Sequence, residues 1–165
     1  MRKAPRIYFD TNAFIFVAEE KSERSALLIE LLSISEAADS PLILTSELTL
    51  AEVLTKPYKN HDDELISRYD NMVRQCAWLD VEPVSRQVLW YAAVLQSQTR
   101  LKLPDAIHLS TAFGCECSLF LTDDRDLRKV DEIYNLRYGV RKAASITMSA
   151  PDIPTLTTLL ESLSP

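Results

Sequence analysis

Short apolar runs alternate with stretches of helical periodicity along nearly the whole chain, and this alternation limits the fold more than any other feature. Ile7–Phe9, Leu42–Leu44, Leu79 with Val81, and Leu119–Leu121 are too short for helices and carry no polar alternation. Such runs read as strands buried on both faces. Ala13–Ala18 and Glu23–Ala38 read as helices, the second with Leu27, Leu28, Leu31, Leu32 and Ile34 as its apolar stripe. Ser46 is placed to cap a helix through Leu54, and Pro57 is expected to stop it. His61–Ala77 is expected to be one amphipathic helix, with Leu65, Ile66, Tyr69, Met72 and Val73 facing inward. Ser85 caps a helix to about Gln98, with Val88, Leu89, Ala92 and Leu95 on its core face. Pro104 suits the first position of a helix to Phe113. Asp124 to about Val130 reads as a helical turn, Ser145–Met148 as a last strand and Pro154–Leu163 as a last helix. Strand and helix in alternation predict an α/β fold with a mainly parallel sheet. No linker or repeat divides the 165 residues, so one domain is expected.

Sheets of this kind place their sites beyond the carboxyl ends of the strands. Asp10 directly follows the first run, and Asp124 lies just past the run at Leu119–Leu121. Glu52 lies on a mostly apolar helix among Leu48, Leu50, Val53 and Leu54, and Asp105 falls in the first turn of its own helix. Each acid alone has an ordinary explanation. Asp10-Thr11-Asn12 can form an Asx-turn or a cap, and Thr49-x-x-Glu52 matches a capping box. Asp105 suits the helix dipole, and Asp123, Asp124 and Asp126 can cap a helix or solvate a loop. Gathered together, the same carboxylates repel one another, and a divalent cation resolves that repulsion. Oxygen ligands without a Cys/His cluster favour Mg²⁺ or Mn²⁺. In this reading Asp10 binds metal directly and Asn12 hydrogen-bonds a neighbouring carboxylate. His108, one turn past Asp105, reads as a core histidine that orients the site. Asp124 is the first choice among the last three acids and Asp126 the second. Arg100, Lys102, Arg125, Arg128 and Lys129 supply basic groups around the centre or simply solvate a surface.

Composition removes several competitors. With 2 glycines the chain has no glycine-rich phosphate loop. A net charge of −6 argues against holding nucleic acid by bulk charge, though not against meeting phosphate through metal and a basic rim. The three cysteines, Cys76, Cys115 and Cys117, show no disulfide or zinc spacing and suit a reduced, cytoplasmic setting. The basic start, Met1 to Arg6, leads into an apolar stretch interrupted by Asp10 and Asn12, so neither a signal peptide nor a membrane span is expected.

Taken in order, these phrases resemble a PIN-domain ribonuclease, most nearly the VapC-type toxins of toxin–antitoxin modules. The resemblance rests on Phe9-Asp10-Thr11-Asn12, on Glu47-x-x-x-Ala51-Glu52-Val53, on Leu103-Pro104-Asp105-Ala106-Ile107-His108-Leu109-Ser110-Thr111-Ala112, and on Phe120-Leu121-Thr122-Asp123-Asp124-Arg125-Asp126-Leu127. It implies a PIN-like α/β/α sandwich over residues 1–165 and Mg²⁺- or Mn²⁺-dependent RNA cleavage. It also implies that Asp10, Glu52, Asp105 and Asp124 carry the metal and the catalysis, with Thr122 placing the last acid. A homodimer is implied, as is a cognate antitoxin that inserts a segment into the site. Asp123 departs from the asparagine common at its position, and the segment after Asn135 has no assigned role. Two other classes compete with this reading. A metal-dependent phosphatase is weakened by Asn12, which stands where a second acid would be needed. A PIN-like binding module without catalysis is weakened by the presence of all four acids.

Overall fold

A computed structural model describes residues 5–128, 130, 134–135, 141–142 and 146–164. Five parallel strands form the central sheet in the order β3-β2-β1-β4-β7. They are β1 (Ile7–Phe9), β2 (Ile43–Ser46), β3 (Leu79–Glu82), β4 (Leu119–Leu121) and β7 (Thr147–Ser149). Tyr134–Asn135 (β5) and Arg141–Lys142 (β6) pair apart from it as an antiparallel ribbon.

The strands feed two cores because successive side chains point to opposite faces. Ile7, Phe9, Ile43, Leu79 and Leu121 pack into one core with α1 (Thr11–Glu19), α2 (Glu23–Ala37) and part of α4 (Asp63–Met72). Tyr8, Leu44 and Phe120 pack into the other with α5 (Arg86–Gln98) and α6 (Leu103–Gly114). The register Ile7↔Ile43, Tyr8↔Leu44 and Tyr8↔Phe120 aligns the two sets across the sheet. Helices thus cover both faces of the sheet, the α/β/α arrangement expected.

Several boundaries differ from expectation. Pro57 does not stop its helix: α3 runs Glu47–Asn60 with Pro57 buried inside it. One proline removes a single ladder bond at a cost of about 3 kcal/mol, and packing on α4 offsets that here. The helix ends at His61, whose positive φ of 54° closes a left-handed cap. The helix expected to reach Ala77 ends at Met72, with Val73 as its cap. Beyond it, Gln75 turns its side chain to the edge strand β3, accepting from Val81 N–H and donating to Asp80. Leu89 is 46% exposed rather than in the core. Val88, Ala92 and Leu95 face the sheet at helical spacing, and Leu89 lies a quarter-turn away. Pro104 takes the second rather than the first position of its helix, after the cap residue Lys102. The last helical turn of the motif region is α7 (Arg125–Arg128). Ser145 and Lys129 lie outside the described residues.

The segment after Asn135, which carries no role in the motif, completes the fold. β7 adds the fifth strand beside β4, and α8 (Ile153–Leu163) packs on α2 through the buried Leu156 and Leu160. Leu156→Ala is therefore expected to lower unfolding stability by about 2–5 kcal/mol. Urea denaturation followed by circular dichroism measures this, and a loss within error would detach α8 from the cooperative core.

Candidate metal centre

Asp10 sits between β1 and α1 and is 5% exposed. Its Oδ1 accepts the Thr11 N–H at 2.8 Å, so it caps α1 as the ordinary reading requires. Its Oδ2 accepts the Thr122 hydroxyl at 2.6 Å. The same Thr122 oxygen accepts the Asp124 N–H at 3.0 Å. The ends of β1 and β4 are thereby locked together through one buried hydroxyl. Asp124 Oδ1 in turn accepts the Asp126 and Leu127 N–H groups, opening α7. Asp123 and Asp126 are exposed.

Glu52 reaches the same edge from α3. Ser46 accepts from Leu48 N–H and caps this helix, so Thr49 lies inside it and the capping-box reading of Glu52 falls away. Glu52 Oε2 accepts the Thr11 hydroxyl at 3.1 Å, and Oε1 lies 2.8 Å from His108 Nε2. The bond expected from Asn12 thus comes from Thr11: the first residue of α1 faces α3, whereas Asn12 is turned by about a quarter-turn around the helix. His108 is 1% exposed, and its Nδ1 lies 2.7 Å from the Tyr8 hydroxyl. Both ring nitrogens are therefore engaged, which makes His108 an orienting group rather than a ligand.

Asp105, one turn before His108 on α6, faces the other acids. Burial pushes its carboxyl up to about 6, and the charges of Asp124, Asp10 and Glu52 add to the rise while His108 opposes it. Burial also acts on Glu52, but the His108 and Thr11 hydrogen bonds outweigh it and hold Glu52 below the usual range. Burial pulls His108 down, and the carboxylates of Glu52, Asp10 and Asp105 more than reverse that. Asp10, Glu52 and Asp124 thus all act on Asp105, each from a different part of the fold. Among the described residues, no three His, Cys, Asp or Glu side chains converge closely enough to grip one ion as they stand. The donor chemistry, carboxylate oxygen throughout, fits Mg²⁺ or Mn²⁺. Sequence reading missed Thr11 and Tyr8. Thr11 was visible as the residue between two candidates, and the strand alternation turns Tyr8 toward α6.

The PIN domain family model matches residues 7–133. Among solved structures, the chain is similar to a toxin–antitoxin complex from Klebsiella pneumoniae, at 24% identity over 75% of this chain and 92% of that one, with a TM-score of 0.56. It is similar to VapC20 of Mycobacterium tuberculosis, a sarcin–ricin-loop-cleaving toxin, at 17% identity over 73% and 92%, TM-score 0.57. It is also similar to VapBC2 from Rickettsia felis bound to a DNA fragment from their promoter, at 13% identity over 87% and 97%, TM-score 0.61. No curated protein matches it by sequence.

The Asp105 carboxyl gives a signed pH dependence in the metal-free protein. Its folded value, about 6, lies above the ordinary 3.8, so the folded state binds the extra proton between them. Stability is then greatest below about pH 4 and declines as pH rises toward 6. Asp105→Asn removes that decline. Without metal, the variant is expected to match wild type near pH 4 and to exceed it near pH 7 in urea midpoint. A constant difference across this range would contradict the cluster.

Proposed function

This chain belongs to the PIN-domain family, and from that premise we propose that it is a metal-dependent endoribonuclease, the toxin of a type II toxin–antitoxin pair. The reading takes residues 1–165 as one nuclease domain. The observation that carries it is the linkage of acids at the strand ends: Asp10 to Asp124 through Thr122, and Asp10 to Glu52 through Thr11. Fold similarity to toxins of such pairs supports the toxin assignment.

In this proposal Asp10, Glu52, Asp105 and Asp124 hold one or two Mg²⁺ or Mn²⁺ ions. When bound, the metal supplies positive charge beside the scissile phosphate and acidifies the attacking water. The chain's own residues do the rest. Asp10 cannot swing away, because both of its oxygens are held. Glu52 is ionised and one-third exposed, and its carboxylate accepts the proton of the attacking water. Asp124 is set by the Thr122 bond to its own backbone. Arg125, with Arg100 and Lys102 before Asp105, brings positive charge to an otherwise acidic molecule and steers the phosphate backbone. A serine or cysteine nucleophile is not required.

Asp10→Asn and Asp105→Asn are expected to abolish cleavage of RNA with Mg²⁺ or Mn²⁺ while leaving circular dichroism unchanged. The loss should exceed the roughly 10–100-fold typical of residues behind a metal ligand. Full activity in either variant removes that residue from the mechanism. Asp124→Ala should cost more than Asp123→Ala or Asp126→Ala, because the Asp124 carboxylate acts on Asp105 and its backbone N–H is held by the same Thr122 hydroxyl that binds Asp10. Hydrolysis of small phosphate esters as readily as RNA would favour a phosphatase, and metal binding without cleavage would favour a binding module.

The proposal extends to a homodimer and to a cognate antitoxin. A cleft of carboxylates on a body of net charge −6 attracts a cationic segment better than free RNA. An Arg or Lys of the partner is expected to pair with the acids and compete with metal. Co-purification with the product of the neighbouring reading frame, followed by RNA cleavage with added Mn²⁺, measures this. A partner that binds yet leaves cleavage and metal affinity untouched would defeat the plugged site.

A further inference from the structure

Thr45 and Thr49 are both fully buried, and neither has a part in the chemistry above. Thr45 lies in β2 and Thr49 in the first turn of α3. Their hydroxyl oxygens are 2.7 Å apart. Valine has the same shape, so packing alone does not account for two hydroxyls here. Helix threonines elsewhere in the chain have an ordinary use for theirs: Thr55, Thr111 and Thr157 each donate to the carbonyl four residues back. Thr49 turns instead to the Thr45 side chain.

The strand pairing shows what Thr45 does. β1 pairs with β4 as far as Phe9↔Leu121, and the Asp10 N–H reaches the Leu121 carbonyl at 3.1 Å. Its pairing with β2 stops at Tyr8↔Leu44. The buried Phe9 carbonyl lies past the end of that ladder and accepts the Thr45 hydroxyl instead, at 2.9 Å. A carbonyl only accepts and Thr45 has one hydrogen, so Thr49 is the donor to Thr45. The bonds therefore run in one direction, from Thr49 through Thr45 to the peptide that carries Asp10. Glu52 follows one turn after Thr49 on the same helix.

We propose that Thr45 and Thr49 are positioning residues: their joined hydroxyls tie the strand end that bears Asp10 to the helix that bears Glu52, and so set the spacing of these two acids for metal. This rests on the metal-site reading given under Proposed function. The Thr11–Glu52 bond also joins the two, but it occupies a carboxylate oxygen that a cation would take. The Thr45–Thr49 tie uses no carboxylate, so metal binding does not compete with it.

Thr49→Val removes the donor and keeps the shape, whereas Thr49→Ser keeps the donor and removes a methyl. Calorimetric Mn²⁺ affinity of the full-length protein should fall about 10-fold or more in Thr49→Val, the range typical of groups behind a metal ligand. Thr49→Ser should stay close to wild type. A packing role would reverse that order, because serine leaves the larger void. In the metal-free proteins, amide hydrogen exchange at Asp10 should be faster in Thr49→Val than in wild type or Thr49→Ser. An unchanged Mn²⁺ affinity or unchanged Asp10 exchange in Thr49→Val overturns the proposal. So does a loss of affinity in Thr49→Ser as large as in Thr49→Val, and a 10-fold loss in Thr49→Ser overturns it even where Thr49→Val does not fold. If wild-type protein binds no Mn²⁺, the metal reading falls, and exchange at Asp10 still decides whether Thr49 holds the strand end.

Discussion

Four carboxylates crowd one edge of a parallel sheet, and the local structure is organised around their mutual repulsion. A buried, ionised carboxylate is tolerable only with hydrogen bonds or an opposite charge. The chain supplies hydrogen bonds at every contact it can. Thr122 serves Asp10, Thr11 serves Glu52, and His108 presents one N–H edge to both. Hydrogen bonds to charged groups contribute roughly 1.5–3 kcal/mol each, enough to hold Asp10 and Glu52 in place. Asp105 makes no such hydrogen bond among the described residues, and its carboxyl carries the remaining strain as a value near 6.

The fold explains why the acids meet. β1 and β4 are paired neighbours, so Asp10 and the turn after Leu121 emerge side by side. Glu52 comes from the helix that follows β2, on the other side of β1. Asp105 and His108 come from the helix that covers the Tyr8–Phe120 face. A set of acids spread across the sequence becomes one site because parallel strands deliver every following turn to the same edge. The charge that assembles there also makes this edge the natural target of a cation, whether metal or a basic side chain.

Much of this was legible in the chain. Strands such as Ile7–Phe9 are short apolar runs with nothing else they can be, and Asp10 and Asp124 followed from strand ends. The cap at Ser46 placed Glu52 inside its helix and so marked it as unusual. What was illegible depended on tertiary partners. Pro57 is a helix breaker by local rule, but α4 packs beside it. Gln75 ends the fourth helix by bonding to an edge strand that local periodicity does not reveal. Leu89 is apolar yet solvent-facing, which hydrophobicity alone cannot show. Thr11 was overlooked for Asn12 because the direction of a helix's first residue depends on where the neighbouring helix lies. The strand and helix after Asn135 have no role that local pattern reveals, since their place at the sheet edge and on α2 is set by long-range contacts.

The central claim is that a divalent cation relieves the repulsion at Asp105. Site-resolved ¹³C NMR of its carboxyl across a pH titration, with and without Mg²⁺, tests this most directly. The account predicts titration near 6 without metal, as burial and the charges of Asp124, Asp10 and Glu52 require. With saturating Mg²⁺ the carboxyl should remain ionised to well below its ordinary value. The same titration curve in both conditions would contradict the account, as would an ordinary value in the metal-free protein.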